Sequence, residues 1–245
     1  MSGSRFRFAG TTLLATPTGA LWWNEAATLV VADLHLEKGS SLARRGALLP
    51  PYDTRATLAR LAALVDALAP RRVICLGDSF HDPDGPGRLA DEDAGVLANL
   101  ARGRDWLWIA GNHDPAWETG HSRHPDRRLP GEAVQDATVG PLVFRHQAAG
   151  NGGSGAGEIS GHFHPKASVL AAGRRLTGRC FATDGRRLIL PAFGAYTGGL
   201  DVLHPAIAAL LTPAFTAHLI GRARVHTFAS HRLSPLAPLP RSVGA

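Results

Sequence analysis

The stretch Gly111-Asn112-His113-Asp114 sets three unlike chemistries side by side: an amide oxygen, an imidazole able to move a proton, and a carboxylate able to orient that imidazole. The glycine ahead of them allows a sharp backbone turn. Alone the stretch is ordinary, because Gly-Asn is frequent turn chemistry. Four further sites change its weight: Asp33-x-His35, Gly77-Asp78, His146 and Gly161-His162-x-His164. In Asp33-x-His35 and His162-x-His164 the alternating spacing turns both side chains to one face of an extended chain. Two ligands on one metal, or on neighbouring metals, require that. Each element has a plain reading by itself: a lone His-x-His is more often surface or core than ligand, and Gly-Asp after a strand is common capping chemistry. Five of them in a fixed order are not explained by turns.

Carboxylates, imidazoles and one amide oxygen, without a thiolate, suit hard-to-borderline divalent ions: Mn²⁺, Fe²⁺ or Zn²⁺. Three aspartates, one asparagine and five histidines exceed what one ion needs, and a second ion is the economical explanation.

The elements that must position these groups can be read around them. Apolar runs at 28–32, 73–76 and 106–110 are buried strands, each delivering its polar residues at the end. Between them, 36–46 reads as a polar, Arg-bearing connection. A helix with Asp53 as N-cap runs to about Ala69 on the spacing of Leu58, Leu61, Leu64, Val65 and Leu68, with Pro70 past its end. A second helix covers 89–101. Strand units of this kind make an α/β fold whose ligands collect at the carboxyl edge of a sheet. Ahead of them, 5–23 reads as a strand and hairpin. Residues 115–132 read as polar loop. Strands follow at 133–139 and 141–145, then a glycine-rich connection at 150–157. Runs at 167–171, 179–183 and 186–190 predict a mainly antiparallel second sheet, with a short helix at 206–211 and a strand at 225–228. One domain over 1–233 and a disordered Pro-bearing tail at 234–245 complete the expectation.

Composition narrows the class. Hydrophobic residues at 44% and charged residues at 19% describe an ordinary globular protein. The net charge of +6 suits a polyanionic partner, although 24 of the 26 basic residues are Arg in an Ala-, Gly- and Pro-rich chain, a pattern coding bias also produces. Cys75 and Cys180 make no disulfide framework. Arg5 and Arg7 are not followed by a signal-peptide h-region, and no apolar run approaches the ~20 residues that span a bilayer. A cytoplasmic location without membrane partners is expected. Arg44, Arg45, Arg123, Arg127 and Arg128, with His81 in the loop after Asp78, are candidates for substrate phosphate. Trp22, Trp23 and Trp117 serve either as core or as platforms for bases.

The ordered set Asp33-Leu34-His35, Gly77-Asp78, Gly111-Asn112-His113-Asp114, His146 and Gly161-His162-Phe163-His164 resembles the motif series of the calcineurin-like metallophosphoesterases. The resemblance implies a four-layer α/β/β/α sandwich with mixed sheets and a two-metal centre, with Mn²⁺ the first expectation. It assigns Asp33, His35, Asp78 and His164 to one ion. Asp78 then bridges to a second ion held with Asn112, His146 and His162. His113 becomes the catalytic acid and Asp114 its orienting partner. A narrower resemblance, to the bacterial ligase-associated DNA damage response endonucleases, rests on three stretches. They are 77–82 (Gly-Asp-Ser-Phe-His-Asp), Arg44-Arg45-Gly46 with 49–54 (Leu-Pro-Pro-Tyr-Asp-Thr), and 190–201 (Leu-Pro-Ala-Phe-Gly-Ala-Tyr-Thr-Gly-Gly-Leu-Asp). It implies DNA as substrate and a functional association with a DNA ligase, an exonuclease and a helicase. The rivals are a phosphoesterase for nucleotides or other small phosphoesters, and a non-catalytic scaffold. The absence of a large inserted cap favours a bulky substrate over the first, and the complete ligand set speaks against the second.

Overall fold

Leu29 and Val31 face one way from their strand, Val30 and Ala32 the other, and all four are fully buried. The next two strands repeat this, with Val73, Cys75, Trp106 and Trp108 on the first side and Ile74, Leu76 and Ile109 on the second. A strand buried on both faces must carry an unbroken apolar run, as these do. They form the centre of a seven-stranded sheet: β1 (Ser4–Phe8), β2 (Thr11–Ala15), β3 (Leu21–Trp23), β4 (Thr28–Ala32), β5 (Arg72–Leu76), β6 (Asp105–Ile109) and β7 (Glu132–Val134), in that order. The first four are an antiparallel meander, and β4 to β7 are parallel. The structure, a computed structural model, describes residues 3–47, 49–50, 52–115, 129–150, 157–171 and 173–236.

One face of this sheet is covered by α2 (Asp53–Leu68) and α4 (Asp91–Ala101), through Leu58, Leu61, Leu64, Val65, Leu97 and Leu100. Two shorter helices, α1 (Lys38–Arg44) and α3 (Gly85–Arg88), lie in the connections. The other face packs on a second sheet through Phe144, Ile159, Phe181 and Leu188. That sheet has nine strands. Seven run in the order β15-β14-β12-β13-β10-β9-β8, and β11 and β16 extend it from β12. Their ranges are β8 (Asp136–Val139), β9 (Leu142–Arg145), β10 (Gly157–Ser160), β11 (Lys166–Ala171), β12 (Arg174–Thr183), β13 (Arg187–Ile189), β14 (Thr216–Ile220), β15 (Val225–Ala229) and β16 (Leu233–Ser234). Its outer face, with Cys180, Ala182 and Ile189, is covered by Val202, Leu211, Phe215 and Ile207 of α5 (Pro205–Ala208). The layers are therefore helix, sheet, sheet and a thin helical layer, with both sheets mixed.

Several expectations change. The second sheet is mainly antiparallel, as expected, but β10 is parallel to both β9 and β13. Parallel pairing brings the carboxyl ends of β9 and β10 to one edge. The polar connection at 36–46 contains α1, whose short amphipathic length leaves little periodic signal. The strand expected at 133–139 is two strands in different sheets, with neither Gly nor Pro to mark the crossing at Gln135. Asp53 is the first helical residue rather than the N-cap, which is Tyr52, and its carboxylate accepts the Gly39 N–H at 3.0 Å instead. Ser234 is paired in β16, and the Leu236 N–H donates to Asp201 at 2.7 Å. The disordered-tail reading thus fails for 234–236, and 237–245 lie outside the described residues. Trp22 and Trp23 are core. Among the described residues no helix is long and apolar enough to cross a membrane.

Candidate metal centre

The carboxyl ends of β4, β5 and β6 in one sheet and of β9 and β10 in the other open onto the same edge. Asp33 and His35 follow β4, Asp78 follows β5, Asn112 to Asp114 follow β6, His146 follows β9, and His162 and His164 follow β10. All seven expected ligands are brought together there. The backbone that carries them is not extended, as the alternating spacing had suggested. Asp33, His35, Asp78, His162 and His164 all have positive φ, between 43° and 71°. Non-glycine residues held there store strain that the surroundings must enforce, and such strain gathers at functional sites. The surroundings do so: His35 donates its N–H to the Asp78 carbonyl at 2.9 Å, and the His162 N–H reaches both Asp33 carboxylate oxygens at 3.0 and 3.1 Å.

The chain bends at 112–114, but Gly111 has no left-handed φ to demand a glycine; close packing demands it instead. A Cβ there would lie 2.1 Å from the Asp78 nitrogen and 2.4 Å from its Oδ1. The glycine lets one ligand loop lie directly on the next. Gly161 does the same for Asp33, whose Oδ2 would be 2.7 Å from an added Cβ.

Two donor groups result, Asp33 with His35 and His164, and Asp78 with His146 and His162, each with its ligand atoms within 4.8 Å of one another. Asp78 faces both. Its Oδ2 lies 3.9 Å from His35 Nε2, and its Oδ1 lies 3.4 Å from His146 Nε2. His146 Nδ1 lies 3.2 Å from the Leu76 carbonyl, so that nitrogen carries the proton and Nε2 carries the lone pair. That lone pair points at other acceptors: Asn112 Oδ1 at 2.9 Å and Asp78 Oδ1. His35 and His164 meet through their Nε2 atoms at 3.3 Å, and the buried His35 Nδ1 has no partner among the described residues. Converging acceptors of this kind fit divalent cations, and the oxygen-and-nitrogen donor set suits hard-to-borderline ions. Burial, reinforced by His164, His81, Lys38 and His113, drives the His35 pKa down to about 2. Burial, then His146, lowers that of His162. Neutral imidazole is the form that binds metal.

His113 stands beside the ligands. Its N–H donates to Asp78 Oδ1 at 2.9 Å, and its Nδ1 meets the His81 carbonyl at 2.9 Å. Its ring stacks on His81 with centroids 5.7 Å apart. The ring is therefore oriented by a carbonyl, and the expectation that Asp114 orients it directly is corrected. Asp114 is buried and accepts the Phe80 and Gly111 N–H groups, each at 2.9 Å. It ties the loop after β5 to the loop after β6, and so fixes the backbone next to His81. Burial pushes its pKa up to about 7 against those hydrogen bonds.

At the rim, α1 and the residue after it bring Arg44 and Arg45 opposite the 82–84 loop across a cavity of about 490 Å³ lined also by Ser41, Asp82, Pro83 and Asp84. Arg44 pairs with Asp84 at 3.3 Å in the open, and Asp82 is engaged bidentately by Arg88 at 2.9 and 2.8 Å. His81 joins the site itself, 5.4 Å from His35 between centroids. Its pKa is lowered by burial, then by Lys38 and His113. Lys38, half-buried at the start of α1 with its own pKa lowered by burial, also borders the site, although no motif in the sequence points to it. Its one signal is rarity: it is one of two lysines in a chain with 26 Lys and Arg residues. Arg123, Arg127, Arg128 and Trp117 lie outside the described residues.

The family model for calcineurin-like phosphoesterase matches residues 26–165. The crystal structure of Pseudomonas putida nuclease MPE is similar at 26% identity and a TM-score of 0.68, over 96% of this chain and 100% of that one. Yfce, a phosphoesterase from E. coli, is 13% identical with a TM-score of 0.40, over 86% of this chain and 96% of its own. No curated relative matches.

Proposed function

This chain belongs to the calcineurin-like phosphoesterase family and is a phosphoester hydrolase, and from that premise we propose that it is a two-metal endonuclease that hydrolyses phosphodiester bonds in DNA. The observation that carries the reading is Asp78, whose two carboxylate oxygens face two separate donor groups. On this reading Asp33, His35, Asp78 and His164 hold one ion, and Asp78, Asn112, His146 and His162 hold the other, with Mn²⁺ the proposed metal. When bound, the ions supply Lewis acidity toward water and toward phosphate oxygens. The chain supplies the rest. His113, its Nδ1 engaged by the His81 carbonyl, presents Nε2 to the departing oxygen and gives it a proton. Asp114 holds the Phe80 and Gly111 backbone and so keeps that carbonyl in place. His81, Arg45 and Arg44 receive flanking phosphates, and Lys38 adds positive charge at the start of α1.

DNA is favoured over a small phosphoester by two supports: the likeness to a nuclease over nearly the whole chain, and the basic rim on α1. The reading places the protein with cytoplasmic DNA, in repair, associated functionally with a ligase, an exonuclease and a helicase. The test is plasmid nicking beside hydrolysis of nucleotides and cyclic nucleotides, with Mn²⁺ and with EDTA, for wild type and His113→Ala. Mn²⁺-dependent nicking by wild type, lost in the variant, is expected. Nucleotide hydrolysis without nicking would overturn the DNA assignment, and equal nicking by both proteins would overturn the acid assignment.

A further inference from the structure

Two half-buried arginines take no part in the chemistry above, yet they converge on one short segment. Arg60, on α2, donates from Nη2 to the Phe193 carbonyl and sets its guanidinium 4.9 Å from the Phe193 ring. Arg179, on β12, donates from Nη1 to the Ala192 carbonyl at 2.6 Å. Neither has a carboxylate partner among the described residues. Burial lowers the pKa of both, and that of Arg60 is lowered further by the charge on Arg179. Withdrawing a charge even in part from water has a cost, which the hydrogen bonds to these carbonyls offset.

The same two peptide units that accept from the arginines donate to the loop carrying Asp33. The Ala192–Phe193 unit takes Arg179 on its oxygen and gives its N–H to the Ala32 carbonyl at 2.8 Å. The Phe193–Gly194 unit takes Arg60 on its oxygen and gives its N–H to the Asp33 carbonyl at 3.1 Å. Hydrogen bonds linked through one peptide group polarise and strengthen each other. The segment pairs with the end of β4 through a parallel bridge between Ala32 and Ala192, past the point where β3 stops. It lies so close that a Cβ on Gly194 would be 2.1 Å from the Leu34 carbonyl. From the other side, the Asp33 N–H donates to the Gly77 carbonyl at 3.2 Å. Asp33, strained at φ 52°, is thus gripped on both sides, and one grip is held in place by the arginines.

We propose that Arg60 and Arg179 are positioning residues for Asp33, acting through the peptide units 192–193 and 193–194 to hold its carboxylate in the metal-binding arrangement. This rests on the reading of Asp33 as a ligand. The test is Mn²⁺ titration by calorimetry on Arg60→Gln and Arg179→Gln, well below their unfolding temperatures. Leu219→Ala, a core truncation on the outer face of the second sheet, serves as the control for lost stability. Each Gln variant should bind one of its two Mn²⁺ ions about tenfold more weakly, the effect expected for groups that orient metal ligands. The control should bind both as wild type does. Wild-type affinity in the folded Gln variants would overturn the proposal. If a Gln variant does not fold, Arg60→Lys and Arg179→Lys carry the test, since each keeps a charged donor with poorer geometry. A loss of threefold or more supports the role, and wild-type affinity overturns it. Asp33→Asn separates the two readings: two ions bound at wild-type affinity there would remove the ligand assignment itself.

Discussion

The ligand cluster and the rim on α1 sit side by side and are built in opposite ways. In the cluster, Asp33 and Asp78 are 0% and 2% exposed, their backbones are held in strained conformations, and neighbouring loops leave no room for a Cβ. At the rim, the Arg44 and Asp84 side chains are 62% and 73% exposed, and the pair they form is of the kind worth little in stability. The first region is over-determined, so its geometry exists before any ligand arrives. The second is adaptable, with long side chains whose present partners a polyanion could replace. That difference separates chemistry from recognition. Removing one atom from the cluster should damage turnover, whereas removing a rim side chain should mainly weaken binding.

The strongest way to break this contrast is Asp78→Asn, which keeps shape but removes the charge that faces both donor groups. Turnover should fall about 10³-fold, the several kcal/mol that metal-assisted charge stabilisation supplies, and Mn²⁺ should fall below two ions per chain. Activity assay with metal analysis checks both. A variant that kept its turnover would place the chemistry elsewhere.

His113→Ala should cost about 10²-fold on a DNA phosphodiester. On bis-p-nitrophenyl phosphate, whose departing phenolate needs no proton, the loss should stay below about tenfold. An equal loss on both substrates would assign His113 to holding the cluster, through its N–H to Asp78, rather than to the leaving group.

What the sequence made legible follows the same division. The ligands were readable because each stands just past an apolar run, and strand ends can be placed without tertiary knowledge. Their backbone was not. The spacing of Asp33 with His35 suggested an extended chain, and only the packing of loops from two sheets forces the left-handed conformation. Gly111 announced a turn and proved to be a place of contact. Asp114, adjacent to His113 in sequence, bonds instead to Phe80 and Gly111, because side-chain partners depend on how loops from different strands meet. The places that Lys38 and the 192–194 segment take beside the site were not legible either, although the rarity of lysine marks Lys38. The first sits in a helix too short to show a period, and the second takes its meaning from pairing with β4, some 160 residues earlier in the chain.

At the rim, Arg45→Ala should lower kcat/KM on DNA about fivefold and reduce the salt slope by about one unit, as loss of a single phosphate contact does. Arg44→Ala should do less, since its guanidinium already faces Asp84. Turnover at saturating DNA should be unchanged in both. Measuring kcat and KM across salt concentrations sharpens the contrast, and a fall in kcat with constant KM would erase it.

The smallest effect on activity belongs to a histidine that resembles the ligands only in being buried. His218, on β14, stacks on Phe6 of β1 at 4.4 Å and shares a hydrogen bond at Nδ1 with Thr227 of β15 at 2.9 Å, at a seam between the two sheets. Burial lowers its pKa to about 4, from 6.5. Between those values the unfolded chain binds a proton that the folded chain refuses, so stability is full above pH 6.5 and is lost as pH falls toward 4. The shift corresponds to about 3 kcal/mol at most. His35 carries the same sign within the cluster, but Mn²⁺ on its ring would mask it. His218→Gln in saturating Mn²⁺ should therefore keep activity within about twofold at pH 7.5 while flattening the loss of stability between pH 6.5 and 4.5, read by urea unfolding. An unchanged pH slope would mean that the seam admits a proton when folded, and that burial in this protein is enforced at the cluster more strictly than at its edges.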